Sequence, residues 1–250
     1  EGEKFSKSRG WGLEQHQYLE EFKDFPNKED ALRYALTRNM PENKDADFKW
    51  DEFAEYHDKE LADNLGNFVN RVIVLSNKYF EGRVPAAPGD TATILAPAHE
   101  IVQRVIQDLG RFSFRTAAQG VMELSAWGNA YLQDAAPWAL YKANPEDPAI
   151  RDIMYVGLQV VALLSLLTAP FIPFTSPKLR RLVGLPDLEN GDLQKALDQL
   201  ERGEPLLPAG HAIGKPELLF AKIHDRKDDS RLQIVNRQKE KLEAIEEADK

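Results

Sequence analysis

Apolar side chains recur through the first third of this chain in steps of mainly three and four residues. Between residues 51 and 80, apolar residues fall at Phe53, Tyr56, Leu61, Leu65, Phe68, Val72, Leu75 and Tyr79. Such spacing places one apolar stripe along a helix, because 3.6 residues complete each turn. The pattern therefore predicts one long amphipathic helix over 51–80, followed by a loop, rich in Gly and Pro, that extends to Pro97.

The remainder of the chain carries the same helical pattern and no convincing strand pattern. Further helices are predicted over 98–109, 113–133, 148–168, 179–183, 193–201 and 228–250. Residues 203–216, rich in Gly and Pro, are predicted to form a linker on the surface. The predicted fold class is all-α, an antiparallel helix bundle over 51–202. It has a short appendage over 1–50, and the linker and a charged helix follow over 203–250.

The stretch from Ile153 to Pro177 contains no charged residue and raises the question of a membrane. A spanning helix needs about 20 predominantly apolar residues. Here Gln159 and Ser165 interrupt the apolar run, and Pro170 ends it because proline lacks a backbone donor and clashes with the preceding turn. The stretch is therefore predicted to be a helix buried inside the bundle, and no membrane partner is expected.

Composition narrows the class of protein only slightly. The 250 residues are 42% apolar and carry a formal net charge of −9, which argues against a broad basic face that coats nucleic acid. Local basic patches remain compatible with that charge. The chain has no cysteine, so disulfides and thiolate metal sites are excluded. Its five histidines show no metal-binding spacing, and we expect no metal in this chain and a cytoplasmic location.

The first chemical signal lies at the start, where residues 4–8 read Lys-Phe-Ser-Lys-Ser. Ammonium groups and hydroxyls in one short run suit polyphosphate oxygens. The run resembles the KMSKS signature of class I aminoacyl-tRNA synthetases, with Phe5 where Met usually stands. That resemblance implies ATP, with Mg²⁺, as the ligand of Lys4, Ser6, Lys7 and Ser8. It also implies that Lys7, supported by Lys4, stabilises charge on the departing pyrophosphate.

A longer succession of residues makes the resemblance more specific. After the KMSKS-like run come the segments Asp30–Leu36, Pro41–Trp50, Asn64–Arg71, Ala136–Trp138 and Pro170–Pro173. This order resembles the methionyl-tRNA synthetase family over about the first 180 residues. The resemblance implies a C-terminal fragment that runs from the KMSKS loop and stem-contact segment through the anticodon-binding bundle. The implied parent enzyme activates methionine with ATP and transfers it to tRNA(Met), including initiator tRNA.

The same resemblance implies where some features of the parent enzyme lie. The zinc that family members often carry would be in the catalytic domain, outside this chain. The fragment alone is expected to make no adenylate, since it lacks the HIGH-type motif and the nucleotide-binding sheet. A further tRNA-binding or dimerisation domain after Lys250 is also compatible with the family.

The resemblance assigns the anticodon contact to a Pro-Trp pair, Pro137 and Trp138. In the family the Trp stacks on the first anticodon base, as aromatic side chains commonly do with unstacked bases in RNA loops. Without that resemblance, a Trp near a helix end is more often part of a core. Trp50 and Trp127 lack such support, and we assign both to packing.

Many bacterial relatives also use an Asn and an Arg, one turn apart, to hydrogen-bond anticodon bases. The matching positions here are Val74 and Lys78. Lys78 keeps the positive charge without the planar fork of Arg, and Val74 cannot form a hydrogen bond through its side chain. Nearby Asn70 or Asn77 are candidates for that role, although both also fit the ordinary polar face of an amphipathic helix.

Two alternatives remain open from sequence. A class I synthetase for another amino acid would bind a different tRNA. A non-catalytic helical interaction module would bind no tRNA and would bury Trp138 fully.

Overall fold

The structure is a computed structural model that describes residues 15–42, 46–223 and 230–248. Within these ranges every regular element is helical, and the one β-type contact is an isolated antiparallel bridge between Arg83 and Ala212. The all-α prediction is therefore confirmed. In chain order the helices are α1 (Gln15–Glu21), α2 (Lys28–Arg38), α3 (Trp50–Glu55), a π-helical segment (Tyr56–Gly66), α4 (Asn67–Phe80), α5 (Thr91–Gly110), α6 (Phe114–Ala135), α7 (Pro137–Ala143), α8 (Pro148–Leu167), α9 (Ser176–Leu182), α10 (Asp192–Glu201) and α11 (Ser230–Ala248).

The predicted long helix is present as one continuous rod formed by α3, the π-helical segment and α4. Backbone angles stay in the right-handed helical region at both junctions, for example at Tyr56 (φ −60°, ψ −42°) and Asn67 (φ −65°, ψ −46°). The prediction missed the change of hydrogen-bonding pattern between Tyr56 and Gly66, where the bonds span five residues instead of four.

Helix α8 is the centre of the bundle. It is long and apolar enough to cross a membrane, but 16 of its 20 residues are buried inside the protein. It packs against α4, α5, α6, α7 and α9. The prediction of a core helix is confirmed, because the apolar positions that circle α8 are covered by protein on every side.

Close approach of α6 to the long helix depends on Gly128. A Cβ atom added at Gly128 would lie 2.4 Å from Cζ of Phe68, a side chain with no exposed surface. The absence of a side chain therefore allows the aromatic ring to lie directly against the α6 backbone. This contact is part of the bundle core.

The prediction of a loop up to Pro97 was wrong, because α5 already begins at Thr91 and contains Pro97. Leu95 and Ala98 are buried in the bundle core on either side of the proline. Burial of this apolar face outweighs the backbone hydrogen bond that proline removes. The α5–α6 connection is the short turn 111–113, which makes these helices antiparallel neighbours.

A second, smaller core joins the N-terminal helices to α11. Phe22 and Trp50 stack at 5.6 Å between ring centroids, and Ile234 and Val235 of α11 are buried in the same cluster. Trp50 is 2% exposed, in agreement with its assignment to packing. The pairs Lys239–Asp51 and Lys241–Glu21 add ionic contacts at the rim.

Asp30 joins α2 to the bundle. Its buried carboxylate accepts hydrogen bonds from the backbone N–H of Phe174 at 3.2 Å and of Thr175 at 2.6 Å. Burial raises the pKa of Asp30, while these backbone hydrogen bonds oppose the rise. Arg33, three residues along α2, donates to the carbonyl oxygen of Pro170 at 3.2 Å.

Candidate nucleic-acid interface

Helix α4 carries a row of side chains that the core does not use. Arg71, Val74 and Lys78 share one side of the helix because they are three and four residues apart. Val74 is 38% exposed and Lys78 is also exposed, whereas Val72 and Ile73 point into the bundle core. The row therefore faces solvent.

The chain turns sharply at Ala136, where α6 ends and the neighbouring helix α7 begins. This residue adopts the left-handed conformation (φ 43°, ψ 56°), and its N–H donates to the carbonyl oxygen of Leu132 at 3.0 Å. Pro137 then starts α7, a position that needs no backbone donor. Trp138 and Tyr141 lie one turn apart on α7 and are both partly exposed.

The two helices meet where Arg71 lies over Trp138. The guanidinium carbon is 4.7 Å from the centre of the Trp138 ring, within the range of a cation–π contact. Arg71 Nη2 also donates to Oε1 of Gln133 at 3.3 Å, so its position is fixed from two directions. One face of Trp138 is therefore covered by a cation. The partial exposure of Trp138 disagrees with the interaction-module alternative, which required full burial.

A second aromatic contact lies one turn further along. Tyr79 and Tyr141 stack with 4.0 Å between centroids and 16° between planes, and Lys78 Nζ is 5.6 Å from both centroids. Burial raises the pKa of Tyr79, and the neighbouring Tyr141 adds to the rise. We call Arg71, Val74, Lys78, Trp138 and Tyr141 the aromatic–basic strip.

The structure brings together some of the predicted site residues and separates others. Trp138 and Lys78 lie in the strip, and Pro137 is buried beneath it. Asn70, one turn before Val74, is partly exposed and makes no side-chain hydrogen bond within the described ranges. Asn77 points elsewhere, since its amide nitrogen donates to the carbonyl oxygens of Ile73 and Gly214, both at 2.9 Å.

Two members of the strip were missed by the sequence predictions. Arg71 ends the segment Asn64–Arg71, which carries part of the family resemblance, and it lies about one turn before Val74. The sequence predictions nevertheless gave it no role in the site. Tyr141 follows Trp138 by three residues, which is the spacing of neighbours on one helical face. Lys4, Ser6, Lys7 and Ser8 lie outside the residues that the structure describes.

A cavity of about 280 Å³ lies between α5 and α10, away from the strip. His99, Gln103, Gln194 and Glu201 contribute its polar lining. Nε2 of His99 is buried and has no hydrogen-bond partner among the residues that the structure describes, and burial lowers the pKa of this imidazole. Across the part of the chain that the structure describes, no three His, Asp or Glu side chains are grouped as a metal would require.

Comparison with protein families defines first the class and then the family. Residues 1–73 match the model described as "tRNA synthetases class I (M)", which makes the chain part of a class I aminoacyl-tRNA synthetase. Residues 84–237 match the "Anticodon binding domain of methionyl tRNA ligase". The chain therefore belongs to the methionyl-tRNA synthetase family.

Individual relatives agree with this assignment. The chain is 42% identical over 252 residues to the methionine–tRNA ligase of Christiangramia forsetii, covering 99% of this chain and 34% of the relative. The corresponding enzyme of Bacteroides fragilis is 42% identical over 93% of the chain and 33% of the relative. The chain thus spans about a third of the length of the curated relatives it matches.

Solved structures show the same likeness. A Mycobacterium tuberculosis methionyl-tRNA synthetase in complex with methionyl-adenylate superposes with a TM-score of 0.74 at 26% identity, over 88% of this chain and 42% of that chain. The apo form of the enzyme gives a TM-score of 0.69 at 27% identity, over 79% and 39% of the two chains. The helical architecture described above is therefore that of methionyl-tRNA synthetases.

Proposed function

We propose that this chain anchors tRNA(Met), including initiator tRNA, through the aromatic–basic strip, as part of a cytoplasmic methionine–tRNA ligase. The proposal rests on Trp138, which is partly exposed and has one face covered by Arg71. The chain also belongs to a family with an anticodon-binding domain. An unstacked anticodon base would lie on the face of Trp138 that Arg71 leaves open.

The strip has the physical properties that a single-stranded RNA loop requires. Aromatic faces accept bases of any sequence, and cations beside them attract the phosphate backbone. Arg71 and Lys78 supply local positive charge on a chain whose net charge is −9. Base reading by hydrogen bonds falls to Asn70 and Lys78 in this proposal, because the amide hydrogens of Asn77 are engaged by backbone carbonyls.

The remaining parts of the proposal concern the parent enzyme. Lys4, Ser6, Lys7 and Ser8 would bind ATP with Mg²⁺, and Lys7 with Lys4 would stabilise the departing pyrophosphate. Methionine would be activated in a catalytic domain outside this chain, where any zinc would also lie. We further propose that the chain divides into the segments 1–50, 51–202 and 203–250. An additional C-terminal tRNA-binding or dimerisation domain is compatible with the family.

The test is direct binding of the 250-residue chain to initiator tRNA with a CAU anticodon, at one fixed salt concentration. The same tRNA with its first anticodon base changed is the comparison. Loss of one base–aromatic stack, worth about 1–3 kcal/mol, should make Trp138→Ala bind about 5- to 150-fold more weakly. The matched control is Phe174→Ala, an aromatic side chain that is 61% exposed and lies away from the strip.

The outcomes separate the site from general affinity. Selective binding that is lost in Trp138→Ala and kept in Phe174→Ala would support the proposal. Equal binding of the unaltered chain to both tRNAs, unchanged by Trp138→Ala, would refute it.

A further inference from the structure

The Tyr79–Tyr141 pair is built like a base platform but has no assigned partner. Two nearly parallel rings at 4.0 Å form a rigid, flat, partly exposed surface. Both rings are also partly buried against the bundle core, which limits their movement. A preformed aromatic surface of this kind loses little conformational entropy when a ligand binds.

Neither Lys78 nor Tyr79 covers the outer face of Tyr141. Because Nζ is equally far, 5.6 Å, from two centroids that are 4.0 Å apart, it lies beside the stack at the level of the gap. Tyr79 covers the inner face of Tyr141. No other ring or cation contacts Tyr141 in the part of the chain that the structure describes.

The spacing of the two aromatic sites fits neighbouring nucleotides. Trp138 and Tyr141 are separated by three residues, about 4.5 Å along the axis of α7. The two side chains therefore lie within reach of neighbouring nucleotides of one RNA strand. Each aromatic side chain also has a cation from α4 next to it, Arg71 at Trp138 and Lys78 at Tyr141. The strip therefore pairs an aromatic ring with a cation twice, with the cation over the ring face at Trp138 and beside the ring stack at Tyr141.

We propose that Tyr141, supported from behind by Tyr79, is a second base-stacking platform that holds the nucleotide adjacent to the one on Trp138. Lys78, beside the stack, would contact the same nucleotide. This inference rests on the proposed tRNA-anchoring function and adds a second position at which an unpaired base is recognised. The ligand is an unstacked nucleobase of a single-stranded RNA loop.

A thermodynamic cycle between protein and RNA tests the platform. The 250-residue chain is titrated with tRNA bearing the CAU anticodon and with three versions that each lack one anticodon base. Tyr141→Leu should weaken binding to the intact tRNA by about 5- to 150-fold, the range for one lost stack. In the Tyr141→Leu variant, removal of one particular anticodon base should no longer weaken tRNA binding, because the ring on which that base stacks is gone. Trp138→Ala should show the same insensitivity to removal of a neighbouring base. Tyr141→Phe should bind within about 2-fold of the unaltered chain, because the ring is retained.

A second readout does not depend on the stability of Tyr141→Leu. In tRNAs that carry the fluorescent base 2-aminopurine at single anticodon positions, stacking on an aromatic ring quenches emission. We expect two neighbouring positions to be quenched in complexes with the unaltered chain and with Tyr141→Phe. Phe174→Leu is the matched control for changing an exposed aromatic to Leu.

The results distinguish the platform from the tRNA-binding function itself. Binding that depends on Trp138 but is unchanged in a folded Tyr141→Leu variant, or quenching at one position only, would overturn the platform and leave the proposed function intact. A chain that binds none of these tRNAs would overturn both.

Discussion

Replacing Gly128 with alanine adds one methyl group to the tightest contact between α6 and the long helix. The new Cβ would lie 2.4, 2.6 and 2.9 Å from three ring carbons of Phe68. Ordinary contacts begin at about 3.4 Å, so the ring or the α6 backbone must move by about 1 Å. Phe68 has no exposed surface, so its ring cannot move out into solvent without leaving the core.

Two opposing terms set the size of the effect. Overpacking of a well-packed core costs about 1–3 kcal/mol. The higher helix propensity of alanine returns up to about 1 kcal/mol. We therefore expect Gly128→Ala to lower the free energy of unfolding by about 1–2 kcal/mol, or Tm by about 2–8 °C in a protein of this size.

The assay is denaturant and thermal unfolding of Gly128→Ala beside Gly110→Ala. Gly110 is the last residue of α5, and an added Cβ there meets nothing within 4 Å. Gly110→Ala should be neutral or stabilising. Combining Gly128→Ala with Phe68→Leu should recover at least about 0.5 kcal/mol relative to the sum of the single changes, because the two sites are in contact. A Gly128→Ala variant as stable as Gly110→Ala would contradict overpacking at Phe68.

Three further predictions concern other parts of the molecule. Asp30→Ala leaves the backbone N–H groups of Phe174 and Thr175 without an acceptor. It should therefore lower the free energy of unfolding by about 2–4 kcal/mol, measured with denaturant. An unchanged midpoint would contradict this. Burial lowers the pKa of His99 below 6.5, so the folded state binds fewer protons than the unfolded state and stability falls as pH drops through the window below 6.5. His99→Gln should show a shallower fall over that window, and parallel curves would rule out the linkage. Ala136→Gly should raise stability by about 0.5–1 kcal/mol, because glycine removes left-handed strain, and a lower Tm would show that no strain is stored there.

Sequence patterns predicted the bundle because its helices are long and have regular apolar faces. The helices over 113–133 and 148–168 were found close to their structural limits, since α6 and α8 bury their apolar positions at helical spacing. The shorter α1, α2 and α7 were not predicted. Each has 7 to 11 residues, too few for a periodic pattern to stand out, and their stability comes from packing.

The sequence contains a mark of the π-helical segment within the long helix. The apolar stripe steps by five residues from Tyr56 to Leu61, and this step falls inside the π-helical segment. Hydrogen bonds that span five residues bring positions five apart onto one face. A five-residue step inside an otherwise regular stripe was thus the available signal for that segment.

The candidate site was only partly predictable for a different reason. Trp138 and Lys78 came from resemblance to the family, whereas Arg71 and Tyr141 join the site through contacts between α4 and α7. Such contacts depend on how two helices pack, which the pattern within either helix does not contain. The engagement of Asn77 by Gly214, 137 residues away, is equally invisible in local sequence.

The unbroken helix from Trp50 to Phe80 also has a mechanical consequence. One end of this rod is held in the N-terminal core at Trp50, and Lys78 near the other end belongs to the strip. The intervening length is about 40 Å at 1.5 Å per residue, so a tilt of about 5° at one end displaces the other by about 3–4 Å. A rotation of the N-terminal core that carries the rod with it as one body would therefore shift Lys78 by about the thickness of a stacked base.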